Sequence, residues 1–245
     1  MEGNRRTQAV RLPTGQLPPK APKAIIFDIG RVIVRLNVKE AFGRLASHAT
    51  TSTVAGEIPE QSHERIWTAI QADPHWRNWQ EGQMTPKMWH EHITHRLRVT
   101  TTFDEFCAMW NSLLEPQTIL SNDLFEQLST RYRLGLLSNT DPIHVKHLET
   151  HFSFVRFFQT RIYSNEVRTS KPCPVIYEAV LTALDVAPTE ALYIDDIAEY
   201  ADAARQLGLD AIHFENPRQL AGEFIRRGIP APNSFAFDSE GRLEI

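Results

Sequence analysis

The chain has 245 residues, 42% of them hydrophobic and 23% charged, with a formal net charge of -4. This suits one substantial domain with a smaller insert, and the charge balance argues against a nucleic-acid or anionic-membrane partner. Cys107 and Cys173 stand far apart outside any CxxC pair, which argues against a disulfide framework or a cysteine zinc site. No apolar run approaches the roughly 18–20 residues of a membrane span.

Residues 1–22 carry Arg5, Arg6, Arg11 and Lys20 among several prolines, and they read as a flexible basic arm. They lack the apolar stretch of a secretory signal, so a cytoplasmic location is expected. The first packed element is Ala24 to Phe27, a short continuous apolar run. It reads as a strand buried on both faces of a parallel sheet, ending at Asp28-Ile29-Gly30.

Residues 38–115 change character. All five tryptophans fall here: Trp67, Trp76, Trp79, Trp89 and Trp110. Apolar spacing is helical at Ala41 and Leu45, at Ile66, Trp67 and Ile70, and from Phe103 through Phe106, Met109 and Trp110 to Leu113. Thr85-Pro86 has the form of an N-cap followed by Pro at the first helical position. The segment is expected to be an all-helical insertion with an aromatic core. His90, His92 and His95 match no standard zinc spacing, so a solvated helix face or cap core is the expectation for them.

From residue 116 strands and helices alternate. Helices are expected over 120–128, 142–150, 174–184, 198–207 and 218–227, and strands over 133–137, 157–163, 191–194 and 211–214, with Gly208 closing a helix as its C′ residue. Such alternation builds a doubly wound, Rossmann-like parallel sheet. The expected organisation is therefore an α/β core over 23–37 and 116–229, a helical cap over 38–115, and a surface tail over 230–245.

Three of the strand patterns end in compact polar groups: Asp28, then Ser138-Asn139-Thr140, then Asp195-Asp196. The carboxyl ends of strands in an open α/β sheet converge on one crevice, so these groups should meet. Three packed carboxylates repel one another, and a hard divalent cation such as Mg²⁺ relieves that. Lys171, in Thr-Ser-Lys-Pro, adds a point charge for a phosphate and a carboxylate. Asp is a competent covalent nucleophile for phosphoryl transfer, a reaction that depends on positioning and charge stabilisation.

The order of these groups resembles the haloacid dehalogenase-like hydrolase superfamily. Its four motifs are similar to Phe27-Asp28-Ile29-Gly30-Arg31-Val32-Ile33-Val34, Leu136-Leu137-Ser138-Asn139-Thr140, Lys171-Pro172 and Tyr193-Ile194-Asp195-Asp196. The insertion after the first motif resembles the family's small C1 cap, and Glu81-Gly82-Gln83-Met84-Thr85 is similar to a recurring cap segment. The likeness to sugar-phosphate phosphatases extends through Ser138-Asn139-Thr140-Asp141-Pro142-Ile143-His144. The resemblance implies that Asp28 forms an aspartyl-phosphate, Ser138 binds the phosphoryl group, and Lys171 stabilises both. It implies Mg²⁺ held by Asp28, Asp195, Asp196 and the backbone carbonyl of Gly30. Asn139, Arg31 and His144 are further candidates for substrate contact. The implied partner is a small phosphorylated metabolite, with no nucleic acid or membrane involved.

Two positions depart from the family pattern. Gly30 stands where many members carry a second Asp as general acid, and His144 or water is the expected substitute. Tyr200 stands where an Asn or Asp often supports the metal, and Glu199 is the nearest replacement. A non-catalytic binding protein and a metal-independent dehalogenase are the alternative readings. The pair Asp195-Asp196 weighs against the second.

Overall fold

The computed structural model describes residues 21–46 and 62–230. The basic arm up to residue 20 and the tail from residue 231 lie outside the described residues. In chain order, β1 (Ala24–Phe27) and β2 (Val34–Leu36) lead into the helices α1 (Val38–Ala46), α2 (Ser62–Gln71), α3 (Trp76–Gln80), α4 (Pro86–Leu97) and α5 (Phe103–Asn111). Then follow β3 (Leu114–Thr118), α6 (Asn122–Ser129), β4 (Arg133–Ser138), α7 (Pro142–His151), β5 (Thr160–Tyr163) and α8 (Ser164–Val167). The chain continues through α9 (Pro174–Leu184), β6 (Ala191–Asp195), α10 (Ala198–Gln206), β7 (Asp210–His213) and α11 (Pro217–Arg226).

The five-stranded sheet has the order β5-β4-β1-β6-β7, and every pairing in it is parallel. Alternate residues of β1 serve opposite layers. Ile25 and Phe27 pack with Phe125, Leu128 and Phe224 on one face, while Ala24 and Ile26 pack with Ile176, Tyr177 and Val180 on the other. Burial on both faces explains why β1 reads as a continuous apolar run rather than an alternation. Phe27 lies opposite Leu136 of β4 and Ile194 of β6. Strands β4, β1 and β6 are therefore neighbours whose polar residues emerge side by side, at the point where the chain order reverses.

Among the described residues, the helices α1 to α5 between β2 and β3 form the expected helical cap. Thr85 caps α4 by accepting a hydrogen bond from the Met88 amide, with Pro86 in the first turn. Thr102 and Glu105 make a reciprocal capping box on α5. Trp79, Trp89 and Trp110 are buried, and Trp79 stacks on Trp89 at 5.4 Å with 7° between the ring planes. Each such buried side chain contributes roughly 1.5–3 kcal/mol or more.

Two details differ from the sequence expectation. An antiparallel pair, β2 with β3, ties the two ends of the cap together. The strand expected over 157–163 begins only at Thr160, because residues Ser153–Phe157 form a 3₁₀ turn that packs Phe154 and Val155 into the core.

Candidate active site

The strand ends bring the three polar groups together, with Asp28, Ser138, Asn139, Thr140 and Asp196 lining one pocket. Asp28, one residue past β1, is 6% exposed, Ser138 at the end of β4 is 4% exposed, and Asp195 at the end of β6 is sealed from solvent. Lys171 arrives from the loop before α9 and is also buried. Its Nζ lies 2.6 Å from Asp28 Oδ1 and 2.7 Å from Asp195 Oδ2, and it donates to the Leu137 carbonyl at 3.1 Å. One ammonium thus joins two carboxylates on adjacent strands. Asp195 is fixed further by the Ile197 amide at 2.8 Å and by the Tyr193 hydroxyl. Asp196 is half-buried, and the exposed Arg31 guanidinium pairs with it at 2.8 Å.

Electrostatics follow from this packing. Burial raises Asp28 to about 7; Lys171 opposes that shift, and the carboxylates of Asp195 and Asp196 add to it. Asp196 is raised for the same reason, by burial ahead of the opposing Arg31. For Lys171, burial works against the charge, but Asp195 and Asp28 outweigh it and hold the ammonium protonated.

Oxygen atoms of Asp28, Asp195 and Asp196 lie within 4.8 Å of one another. An all-oxygen set with more carboxylate than protein cation, one ammonium within it and one guanidinium at its edge, suits a hard divalent ion. The donor set therefore fits the expected metal. A second group of this kind, Asp73 with His75 and His92, lies in the cap. Arg96 already contacts the Asp73 carboxylate at 3.2 Å, and His92 donates to it at 2.9 Å, so the protein itself neutralises that acid. His95 is exposed on the helix face, as expected.

Asn139 and His144 line the pocket, and both side chains are engaged by protein partners. The Asn139 side chain accepts from the Lys171 amide at 2.8 Å and donates to the Lys171 carbonyl at 3.0 Å and the Tyr200 hydroxyl at 3.4 Å. It clamps the backbone that carries the lysine. The His144 ring is occupied at both nitrogens, by the Asp141 carboxylate at 2.9 Å and the Trp110 carbonyl at 2.9 Å. Both partners are acceptors, so the ring is held as an imidazolium with neither N–H directed to a leaving group. Burial lowers its pKa, but Asp141 and the Trp110 carbonyl outweigh burial and raise it.

Several residues joining cap to core were not singled out as such in the sequence. The Trp110 indole donates to Asp141 at 3.0 Å. Glu81 accepts from the Ser170 hydroxyl at 2.7 Å, one residue before Lys171. Ser164 donates to the Gln80 carbonyl at 2.7 Å. Gly82 has a positive φ of 66°, and a Cβ there would sit 2.1 Å from the Asn165 carbonyl oxygen. The sequence signals are the Asp141-Pro142 helix start and the Glu81-Gly82 segment; neither reveals the partner. Tyr200 lines the pocket, whereas Glu199 lies exposed and outside it.

Comparison with known proteins places this geometry among relatives. The solved structure of an HAD family enzyme from Bacteroides thetaiotaomicron, in complex with magnesium and inorganic phosphate, superposes with a TM-score of 0.68 at 23% identity, over 80% of this chain and 95% of that one. A D-ribitol-5-phosphate phosphatase of the same organism is 22% identical over 203 residues, 79% of this chain and 92% of that protein. A phosphorylated carbohydrates phosphatase from Thermotoga maritima is 26% identical over 85 residues, 35% of this chain and 39% of the relative's own length. The family model described as haloacid dehalogenase-like hydrolase matches residues 79–214, more than half of the sequence, and with the strand-end carboxylates and the inserted cap this chain belongs to that family.

Proposed function

We propose that the protein hydrolyses small phosphate monoesters, a sugar phosphate among them, in a Mg²⁺-dependent reaction through an aspartyl-phosphate on Asp28. The observation that carries this reading is the buried Asp28 carboxylate, bridged by Lys171 to Asp195 and within 4.8 Å of the other acids. The names of the two phosphatase relatives and the magnesium and phosphate in the related structure support it.

In the first half-reaction an Asp28 oxygen attacks phosphorus, the bond from phosphorus to the ester oxygen breaks, and the alcohol leaves with that electron pair. With Gly30 offering no acid and His144 engaged, the leaving oxygen takes its proton from water. In the second, water attacks the phosphorus of the aspartyl-phosphate, the bond to Asp28 breaks, and phosphate departs with the carboxylate restored. Lys171 orients Asp28 and neutralises phosphoryl charge, and Ser138 donates to a phosphoryl oxygen. Asp28, the Gly30 carbonyl, Asp195 and Asp196 would hold Mg²⁺, which supplies Lewis-acid stabilisation of that charge. Arg31, exposed and tied to Asp196, sits at the rim where substrate enters.

The cap over 38–115 and the core over 23–37 and 116–229 are the domains we propose, with substrate selection in the cap. Cytoplasmic residence is consistent with the two free cysteines. Phosphate release is measured with Mg²⁺ and with chelator, for wild type beside Asp28→Asn. Release that needs both Mg²⁺ and Asp28 is expected. Equal release by the two proteins would show that Asp28 is not the nucleophile.

A further inference from the structure

The cap side of the pocket differs from its floor in chemistry. The cap contributes Trp67, Gln71, Trp76 and Gln80 with Leu113 and Leu114, and among the described residues no charged residue of the cap lines the pocket. Trp67 and Trp76 are the two tryptophans not fully committed to the cap core: both are half-buried and meet edge to face at 5.5 Å. Neither the Gln71 nor the Gln80 side-chain amide hydrogen-bonds a described residue, and Gln71 is exposed.

Among the described residues, the cations on the pocket wall are Lys171, Arg31 and His144. Lys171 is taken by Asp28 and Asp195, Arg31 by Asp196, and His144 by Asp141. The phosphoryl group of a substrate would use the first of these. A second phosphate or a carboxylate on the alcohol portion would then be desolvated against indole and leucine with no described cation left to meet it. A neutral chain of hydroxyls suits the same wall: its C–H faces lie on the indoles, and its hydroxyls exchange hydrogen bonds with amides that both donate and accept. The cavity, about 160 Å³, falls below the roughly 300–1,000 Å³ of pockets for larger ligands, which favours a short chain over a nucleotide.

Resting on the phosphatase reading above, we propose that the cap wall selects monophosphates of short, uncharged polyols and rejects esters bearing a second anionic group, with Trp67, Trp76, Gln71 and Gln80 as the specificity-determining residues. The test compares three substrates on one six-carbon skeleton: sorbitol 6-phosphate, 6-phosphogluconate and fructose 1,6-bisphosphate, with acetyl phosphate as a reporter that has no polyol. The alditol phosphate is expected to exceed both analogues with a second anionic group in kcat/KM by about 10²-fold, the order by which an apolar pocket rejects an analogue that adds a polar group. Trp76→Ala should lower kcat/KM for sorbitol 6-phosphate more than for acetyl phosphate. Gln71→Arg, at an exposed helix position where folding is not at stake, should place a cation on the wall and raise turnover of 6-phosphogluconate relative to the alditol at least tenfold. Equal or faster turnover of the acid or the bisphosphate by wild type, with acetyl phosphate hydrolysed normally, overturns this inference and leaves the phosphatase reading standing. An unchanged ratio in Gln71→Arg also overturns it. Failure to hydrolyse acetyl phosphate as well as the three esters overturns both.

Discussion

On the sheet side of the pocket, Asp28, Lys171 and Asp195 are buried, and Lys171 and Asp195 hold their partners through several contacts each. On the helical side, Trp67, Trp76 and Gln80 are half-buried and Gln71 is exposed, and their side chains answer to no polar partner among the described residues. The floor is positioned by neighbouring parallel strands and by Asn139 clamping the Lys171 backbone. The wall is positioned by packing within a helical unit joined to the core at a few contacts. On the proposal above, the chemistry is held on the hydrogen-bonded floor and selectivity on the wall packed within the cap helices. This implies that floor substitutions should change turnover for every ester, and wall or joint substitutions should change stability or choice of substrate.

The largest effect is expected at the floor. Asp28→Asn keeps the side-chain shape but removes the attacking carboxylate, and turnover of any phosphate ester should fall by at least about 10³-fold. Trapping a phosphorylated peptide containing Asp28 after a short incubation with acetyl phosphate checks the same step directly; the variant should give none.

Next in size is the joint between cap and core. His144→Gln removes an imidazolium from a buried carboxylate, and such a loss costs about 3 kcal/mol. The dependence on pH gives the signature. The pKa of His144 is raised on folding, so its contribution is fully present below the unfolded value of about 6.5 and is lost as pH rises through the folded value. Asp141 moves the other way: burial would raise it, but His144 and its hydrogen bonds outweigh burial and lower it. Its contribution is present above its unfolded value of about 3.9 and fades as pH falls through the folded one. The gap between wild type and variant in urea denaturation should therefore be widest between about pH 4 and 6.5 and narrow on the alkaline side. A gap that widens above pH 8 would contradict the charged pair.

A smaller cost is expected where the cap loop meets the core. Gly82→Ala asks an L-residue to hold a φ of 66° and puts its Cβ against the Asn165 carbonyl. The left-handed conformation alone costs about 1–2 kcal/mol, and the clash must also be relieved by displacing the loop. A fall in melting temperature, with a larger rise in KM for polyol phosphates than for acetyl phosphate, is the expected pair of readouts.

Much of the floor was legible because its signals are local. Ala24 to Phe27 had to be a doubly covered strand, and the polar residue after it had to emerge at the sheet's carboxyl edge. Gly208 and Pro86 punctuated helices where expected. What the sequence hid depended on partners distant in the chain. The sequence offers His144 as a proton donor but does not show that Trp110, 34 residues earlier, engages one of its nitrogens. It offers Asn139 as a substrate contact but does not show that the Lys171 backbone, 32 residues later, engages its amide. Strand β3 escaped notice because Pro116 sits inside it, and a proline counts against a strand except at an edge. Its pairing with the three-residue β2 is such an edge.

The smallest effect concerns the proton. Gly30 lies beside Asp28 in the pocket, and a Cβ built on it would meet only Asp28 Oδ2, at 4.0 Å, so the position has room for a side chain. Its φ is not in the left-handed region, so an L-residue is tolerated there. Gly30→Asp would therefore install an acid two residues past the nucleophile without moving the backbone. A well-placed acid supplies roughly 10²–10⁴-fold, but a fourth carboxylate beside Asp28, Asp195 and Asp196 adds repulsion that only bound cation relieves. A net gain of about tenfold in kcat is expected, confined to alkyl esters, whose alkoxide needs a proton to leave. Acetyl phosphate, whose acetate departs unprotonated, should gain nothing, and saturating Mg²⁺ should be required for the gain to appear. An equal gain on both substrates would mean that the new side chain acts on the nucleophile rather than on the leaving group.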